Sequence, residues 1–235
     1  MMHRFHAEDL QGDELLLRGR EAHHLTDVLR QGPGTEVELF DGRGTRAVAE
    51  VISSGKRETV LTITARFPDP STDGPELVLA TAIPKGDRFR SLVEKTTELG
   101  IDRLIPLRTD RSVVHPGKGK CQKMNHAVIA ACKQCGRNRL MAIEPVTAWR
   151  EMLAIDNAAL IIAHPGESPA AETLDQVLSD PPGSLVFCVG PEGGWSETEL
   201  QAAGNAGAVR VSLGPHVLRI ETAAIALAAL VTSRL

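Results

Sequence analysis

The glycine-rich segment 190–194, with the sequence GPEGG, is the part of the chain best suited to holding a small molecule. It lies between a predicted buried strand at 185–189 and a predicted helix at 196–206. Glycines in such a loop let the backbone approach a ligand closely and direct amide N–H groups toward it. The G-x-G-x-x-G spacing of dinucleotide sites is absent, and a tight turn that only needs positive φ angles explains the glycines equally well. The sequence leaves both interpretations open.

A second chemical feature is a concentration of positive charge in the middle of the chain. The whole chain has 26 basic and 30 acidic side chains, a formal net charge of −4. Residues 85–139 alone have 13 basic and 5 acidic side chains, a net charge of +8, whereas 1–75 and 140–235 carry −4 and −7. Localised positive charge is typical of proteins that bind a phosphate backbone, although a solvated helix face is the alternative. Several of these cations lie outside the predicted helices, which favours a nucleic acid or another polyanion.

The cysteines predict neither a metal site nor a redox site. Cys132 and Cys135 form a single C-x-x-C, but zinc needs two further ligands, and Cys121 and His126 lie on the same predicted helix. A redox pair would be expected at the N-terminus of a helix, whereas this pair lies at the C-terminal end. We therefore expect a structural role for these cysteines and no bound metal.

The elements that must position these residues change in type along the chain. The first 70 residues contain short strands with alternating polarity, at 36–40, 47–52 and 59–64, and one helix at 21–30. This pattern predicts a small β-barrel or sandwich with one helix. Turn-forming residues at 68–75 indicate a linker.

Beyond that linker, strands and helices alternate, which predicts a mostly parallel sheet. The predicted strands are 77–83, 104–107, 158–163, 185–189 and 209–213, and the predicted helices are 87–99, 121–135, 196–206 and 220–233. Ser196 and Glu199 fit the S-x-x-E pattern of a capping box, so we assign them to helix initiation.

The composition is that of an ordinary globular protein, with 42% hydrophobic and 24% charged residues. There is no tyrosine and only 3% of residues are aromatic, which disfavours domains that stack single-stranded bases on aromatic side chains. The longest apolar run, 223–231, is shorter than the about 18–20 residues that span a bilayer, and no signal-peptide pattern is visible. We expect a cytoplasmic protein with reduced cysteines.

Short blocks of sequence run in order over nearly the whole chain, at residues 4–5, 21–25, 28–30, 40–44, 85–88, 94–100, 111–112, 134–137, 190–196 and 213–223. Together they resemble the RsmE family of small-subunit ribosomal RNA methyltransferases, which modify uridine at N3. Trp195 stands where the glycine loop of the family usually has Phe, and Met141 stands where Pro is expected. The block around Gln134 usually lacks cysteines, which agrees with a structural role for the C-x-x-C pair.

The resemblance implies an α/β protein with a PUA-like RNA-binding β-barrel domain at 1–70 and a SPOUT methyltransferase domain with a trefoil knot at 76–235. It also implies a homodimer that acts on small-subunit ribosomal RNA or the 30S particle, with S-adenosylmethionine held by the C-terminal loops. The residues then expected to bind this cofactor are Gly190, Pro191, Glu192, Gly193, Gly194, Leu213, Gly214, Leu218 and Ile220. The residues expected to bind the RNA backbone are Arg4, Arg30, Lys85, Arg88, Arg108 and Arg111.

The implied reaction needs groups that handle a proton and a negative charge. Uridine N3 is protonated at neutral pH, so its proton must leave and negative charge spreads onto O2 and O4. Arg137 and Arg219 are candidates for stabilising this anion or binding phosphate, and Glu192 for accepting the proton or orienting the base. Two alternatives remain, an enzyme of the same superfamily that acts on transfer RNA and a non-catalytic ribosome-assembly factor.

Overall fold

The chain forms two compact units. A computed structural model describes residues 2–55, 58–68, 74–114, 118–167, 169–179 and 183–235. One unit comprises Met1–Thr72 and Cys132–Leu140, and the other comprises Asp73–Ala131 and Met141–Leu235. Most of the predicted linker, residues 69–73, lies outside the described residues.

The first unit is built on a curled five-stranded sheet. Its strands are β1 (Arg4–His6), β2 (Glu14–Arg18), β3 (Glu36–Phe40), β4 (Thr45–Ser54) and β5 (Glu58–Pro68), in the order β1-β3-β4-β5-β2. β1 and β3 pair in parallel, and the other pairings between the described strands of this sheet are antiparallel. Register shifts between β4 and β5 increase the local twist, which helps the sheet to curl into a half-barrel. The alternating residues predicted for these strands form its core, with Val37, Leu39, Ala47, Ala49 and Leu61 fully buried.

The second unit contains a parallel sheet, as the alternation of strands and helices predicts. Its strands are β6 (Glu76–Ala82), β7 (Arg103–Arg108), β8 (Ala142–Ile143), β9 (Thr147–Ala148), β10 (Ala158–Ala163), β11 (Ser184–Val189) and β12 (Val209–Val211). Their order is β12-β10-β11-β6-β7-β8, and β9 also pairs with β7. Every pairing between the described strands of this sheet is parallel. The central strands are buried on both faces, which explains their continuous apolar sequences.

The helices of the chain are α1 (Gly19–His23), α2 (Arg88–Glu98), α3 (Lys118–Cys135), α4 (Trp149–Met152), α5 (Ala170–Leu178), α6 (Glu197–Asn205) and α7 (Ile220–Thr232). The helix predicted at 21–30 is α1 followed by a π-helical turn, His24–Val28. Sequence patterns missed β1, β8, β9, α4 and α5. The strands β1, β8 and β9 have only two or three residues and α4 has four, too few to show a period. No described helix is long and apolar enough to cross a membrane.

The strand order brings three loops to one edge of the parallel sheet. The neighbouring strands β12, β10 and β11 run in the same direction and end at Val211, Ala163 and Val189. The loops that follow them therefore lie side by side at the carboxyl edge, which is where open parallel sheets commonly bind ligands. One of these loops is the glycine-rich segment. The trefoil knot implied for this unit stays a prediction.

Candidate functional site

A cavity of about 490 Å³ lies at this carboxyl edge. It is lined by residues 163–165 after β10, by residues 189–195 after β11, and by residues 212–214, 216–218 and Ile220 after β12. Arg111 and Ala223 complete the lining. Its volume lies within the range of about 300–1,000 Å³ that is typical of small-molecule sites. The walls combine apolar side chains with glycine backbone, an arrangement suited to a ligand with a flat ring and polar edges.

The structure brings together all nine residues that the resemblance implies for cofactor binding. Gly190, Pro191, Glu192, Gly193, Gly194, Leu213, Gly214, Leu218 and Ile220 all line this cavity. Sequence reasoning missed the third wall, formed by Ala163, His164 and Pro165. A single sequence shows that β10 is a strand but not that it pairs with both β11 and β12, and only that pairing places residues 163–165 here.

The glycine loop is both a tight turn and a wall of the cavity. The Gly194 amide donates a hydrogen bond to the carbonyl of Pro191 at 2.8 Å, and Gly194 has φ of +71°. A Cβ added at Gly190 would lie 2.8 Å from the indole of Trp195, closer than such atoms approach. Glycine is thus required at Gly194 by the turn and at Gly190 by the packing against Trp195. The approach of a ligand to this loop stays a prediction.

The side chain of Trp195 fixes the position of the glycine loop. Its side chain is buried, its Nε1 donates to the carbonyl of Ala163 at 3.4 Å, and its ring packs on that of Trp149 with centroids 4.4 Å apart. Trp149 Nε1 in turn donates to the carbonyl of Glu199 at 3.1 Å. This tryptophan pair links the loop to α6, so the indole of Trp195 has little freedom to move.

The predicted capping box at the start of α6 is confirmed. The Ser196 hydroxyl accepts a hydrogen bond from the Glu199 amide at 3.2 Å, and Glu199 Oε2 accepts one from the Ser196 amide at 2.8 Å. The other Glu199 oxygen accepts from the Asp110 amide at 2.9 Å. Glu199 is buried, and these backbone donors compensate for the loss of its hydration. The glycine loop is therefore followed directly by a helix whose first turn is held by hydrogen bonds.

Arg111 holds the glycine loop directly. Its Nη1 donates to the carbonyls of Gly193 and Trp195 at 2.9 and 3.2 Å, and its side chain forms part of the cavity wall. The sequence predicts Arg111 as an RNA contact because it lies in the basic stretch. The geometry adds a role that the local sequence does not indicate, since both acceptors are more than 80 residues away along the chain.

Two of the three catalytic candidates belong to the second unit. Glu192 lies on the rim of the cavity with a half-exposed side chain, and its Oε1 is 3.7 Å from Arg88 Nη2. Arg219 is the residue immediately before α7, in an extended conformation and exposed to solvent. It follows Leu218 and precedes Ile220, both of which line the cavity.

The third candidate, Arg137, belongs to the first unit, in the segment that follows α3. Gly136, with φ of +86°, ends the helix, and the carbonyl of Arg137 accepts a hydrogen bond from Arg4 Nη2 at 3.3 Å. The same Arg4 nitrogen donates to Asn138 Oδ1 at 2.7 Å, and Arg4 Nε lies 3.0 Å from Glu38 Oε1. Arg4 is thus largely buried and holds the segment that carries Arg137.

The remaining predicted RNA contacts differ in their surroundings. Lys85 and Arg108 are exposed, and Arg108 also lines a second cavity of about 420 Å³. Arg30 is exposed in the first unit, with φ of +55° after the π-helical turn. Arg88, by contrast, is paired with carboxylates. Arg30, Lys85 and Arg108 can therefore each bind a phosphate without first losing an ion pair that the structure records.

Of the C-x-x-C pair, Cys132 has the surroundings of a structural cysteine. Cys132 is buried and its Sγ donates to the carbonyl of Arg139 at 3.5 Å, whereas Cys135 is exposed. Burial raises the pKa of the Cys132 thiol to about 11, so it stays protonated at neutral pH. Within the part of the chain that the structure describes, no three or more His, Cys, Asp or Glu side chains form a group that could hold a metal.

Comparisons with known proteins agree on one family. A family model described as an RNA methyltransferase domain matches residues 72–232, and one described as an RNA methyltransferase PUA domain matches residues 17–64. The ribosomal RNA small subunit methyltransferase E of Mycobacterium bovis is 32% identical over 91% of this chain and 84% of its own length. The protein of the same name from Bacillus subtilis is 29% identical over 88% of this chain and 85% of its own.

Solved structures give the same result for the fold. The ribosomal RNA small subunit methyltransferase E of Neisseria gonorrhoeae, bound to S-adenosyl methionine, has a TM-score of 0.87 and 30% identity over 100% of this chain and 98% of its own. A putative methyltransferase of Legionella pneumophila, also in complex with S-adenosylmethionine, has a TM-score of 0.86 and 28% identity over the same shares of the two chains.

Proposed function

Because this chain belongs to the RsmE family of ribosomal RNA small subunit methyltransferases, we propose that it transfers a methyl group from S-adenosylmethionine to N3 of a uridine in small-subunit ribosomal RNA. The family establishes methyl transfer to small-subunit ribosomal RNA with S-adenosylmethionine as the donor. The uridine and its N3 atom are the finer part of the proposal. The observation that carries the proposal is the single cavity lined by all nine residues expected to hold the cofactor.

The cavity fits S-adenosylmethionine in size and chemistry. The apolar side chains of Val189, Leu213, Leu218 and Ile220 suit the faces of an adenine ring. The backbone groups of Gly190, Gly193, Gly194 and Gly214 have no side chain to cover them, and they suit the polar edges of adenine and ribose. When bound, this cofactor supplies a methyl group on a positively charged sulfur.

The residues around the cavity can perform the rest of the reaction. The N3–H proton of uridine leaves, a bond forms between N3 and the methyl carbon, and the bond from that carbon to sulfur breaks. Glu192 on the rim accepts the proton or orients the base. Arg219 stabilises the negative charge on O2 and O4 of the base in this proposal, and Arg137 of the first unit stays a second candidate for that role. Orientation of the two reactants in line supplies the remainder of the rate enhancement.

Exposed cations of the basic stretch and of the first unit bind the RNA in this proposal. Arg30, Lys85 and Arg108 are exposed, and each can neutralise a phosphate. The absence of tyrosine and the scarcity of other aromatic residues fit recognition of folded or duplex RNA by its shape and 2′-hydroxyls. The homodimer implied by the family resemblance stays part of the proposal.

Transfer of labelled methyl groups tests the proposed substrate. The protein is incubated with methyl-labelled S-adenosylmethionine and either small ribosomal subunits that lack the modification or unmodified transfer RNA. We expect label in the small-subunit RNA. Label in transfer RNA alone would assign the chain to another substrate. No binding heat with S-adenosylmethionine in calorimetry would instead support a non-catalytic RNA-binding factor.

Replacing Arg111 with alanine is expected to weaken binding of S-adenosylmethionine about five- to tenfold. The variant loses both charge-assisted hydrogen bonds to the carbonyls of Gly193 and Trp195, so the glycine loop loses its fixed position. Calorimetry of the variant and of the wild-type protein measures the effect. Arg108→Ala is the matched control, because this exposed arginine is the last residue of β7, close to Arg111 in the sequence, and does not line the cofactor cavity. Equal affinity in the two variants would contradict a role for Arg111 in the loop.

Replacing Arg108 with alanine is expected to weaken RNA binding and to reduce the slope of log K against log salt concentration by about 1, because one phosphate contact is lost. Filter binding to unmodified small-subunit RNA over a series of salt concentrations measures both quantities. Arg210→Ala is the control, since Arg210 is an arginine paired with Glu167 at 3.1 Å in the acidic C-terminal part of the chain. An unchanged slope for Arg108→Ala would remove Arg108 from the RNA-binding surface.

A further inference from the structure

One guanidinium group, that of Arg88, joins three segments of the second unit. Arg88 is the first residue of α2, and its Nε donates to the carbonyl of Lys85 at 3.2 Å. Its Nη1 lies 3.4 Å from Glu221 Oε1, and its Nη2 lies 3.7 Å from Glu192 Oε1. The two carboxylates come from different parts of the chain, Glu192 from the glycine loop and Glu221 from the first turn of α7.

Both of these segments are walls of the cofactor cavity. Glu192 lines the cavity itself, and Glu221 is flanked by Ile220 and followed closely by Ala223, which also line it. The helices α2 and α7 pack against each other, which keeps Arg88 beside α7. The guanidinium therefore acts as a brace between two walls of the site from a position outside the cavity lining.

The Glu221 carboxylate depends on this brace. Its side chain is 14% exposed, and its Oε2 is buried with no hydrogen-bond partner among the residues that the structure describes. A carboxylate with little access to water requires a nearby positive charge, and removing that charge is strongly unfavourable. Arg88 is the recorded ion-pair partner of Glu221 in the described part of the chain.

We propose that Arg88 is a positioning residue for methyl transfer, which holds Glu192 at the rim of the cavity by tying it to Glu221, and that it does not bind an RNA phosphate. This inference rests on the proposed function. Arginine suits the role because its planar fork presents five N–H donors and can meet two carboxylates and a carbonyl at once. A lysine ammonium on a flexible stem cannot hold the same three acceptors in this geometry.

A positioning role for Arg88 and a contact with an RNA phosphate affect different measured quantities. Loss of a positioning residue lowers the rate of methyl transfer, whereas loss of a phosphate contact weakens RNA binding. We expect Arg88→Ala and Arg88→Lys each to lower the single-turnover rate about tenfold or more at saturating RNA and S-adenosylmethionine, because misplacement of a group at the site slows the chemical step. The dissociation constant for RNA and its salt slope should stay unchanged. Arg90→Ala is the matched control on the same helix, because Arg90 forms an exposed pair with Glu94 at 2.7 Å, and its rate should equal that of the wild type.

The opposite pattern would overturn the inference. If Arg88 bound a phosphate, Arg88→Ala would weaken RNA binding and reduce the salt slope by about 1, Arg88→Lys would retain most of the affinity, and the rate at saturation would not change. The double variant with Glu192→Gln supplies a second criterion. If Arg88 acts through Glu192, its replacement should add little to the loss caused by Glu192→Gln, whereas fully additive losses would contradict this.

A measurement on the ligand-free protein separates this inference from the proposed function. Denaturant unfolding of Arg88→Ala, Glu221→Gln and the double variant gives the coupling between the two side chains without any cofactor or RNA. We expect a clear non-additive effect, and strictly additive effects would overturn the brace. If the wild-type protein transferred no methyl group to small-subunit RNA while the coupling persisted, the proposed function would fail and the brace would stand as a structural contact alone.

Discussion

Replacing Gly190 with valine is expected to raise the dissociation constant for S-adenosylmethionine at least about 30-fold, which corresponds to about 2 kcal/mol. A Cβ at this position would lie 2.8 to 3.1 Å from three atoms of the Trp195 indole. The indole cannot move aside easily, because it is buried against Trp149 and donates to the carbonyl of Ala163. The glycine loop must therefore shift, and its shift changes a wall of the cavity.

Calorimetry with S-adenosylmethionine measures this effect, and a second glycine provides the control. Gly204 lies in α6 and is exposed, and a Cβ added there meets no described atom within 4 Å. Gly204→Ala should bind the cofactor like the wild type and be more stable by up to about 1 kcal/mol, since alanine favours helix. Wild-type affinity of Gly190→Val would show that the cofactor does not bind against this loop.

Replacing Arg219 with alanine is expected to lower the methyl-transfer rate about 100- to 1,000-fold at saturating substrates, the usual cost of removing one group that stabilises a developing anion. Arg219 has an exposed side chain at the position where the cavity wall continues into α7. Its backbone neighbours line the cavity, but Arg219 itself does not, so the affinity for S-adenosylmethionine should stay within about twofold of the wild type.

Single-turnover transfer to small-subunit RNA measures the Arg219 effect separately from product release. Arg210→Ala serves as the control here as well, because it removes an arginine from the same unit at a position on β12 outside the cavity lining. Its rate should match that of the wild type. Full activity of Arg219→Ala would leave Arg137 and Glu192 as the remaining catalytic candidates.

The sequence predicts well those parts of the site whose structure depends on residues close together in the sequence. The strand β11, the turn after it and the capping box at Ser196 each have a short-range pattern, and the structure contains all three. The parallel sheet follows from the alternation of strands and helices, which is also visible along the chain. The order of the strands within the sheet cannot be read from this alternation.

The missed parts of the site depend on pairing between distant segments. His164 and its neighbours enter the cavity because β10 pairs with both β11 and β12, and no local pattern encodes that choice. Charge alone could not separate Arg108, which lies outside the lining of the cofactor cavity, from Arg111, which holds the glycine loop. The same limit applies to Arg88, whose carboxylate partners lie more than 100 residues away along the chain.

Identifying the atom that receives the methyl group is the most direct test of the function proposed for this protein. Small ribosomal subunits that lack the modification are incubated with the protein and S-adenosylmethionine, the RNA is digested to nucleosides, and the products are identified by mass spectrometry against synthetic standards. We expect 3-methyluridine from a single site in the small-subunit RNA. A methyl group on another base, on a ribose 2′-hydroxyl, or only in transfer RNA would contradict it.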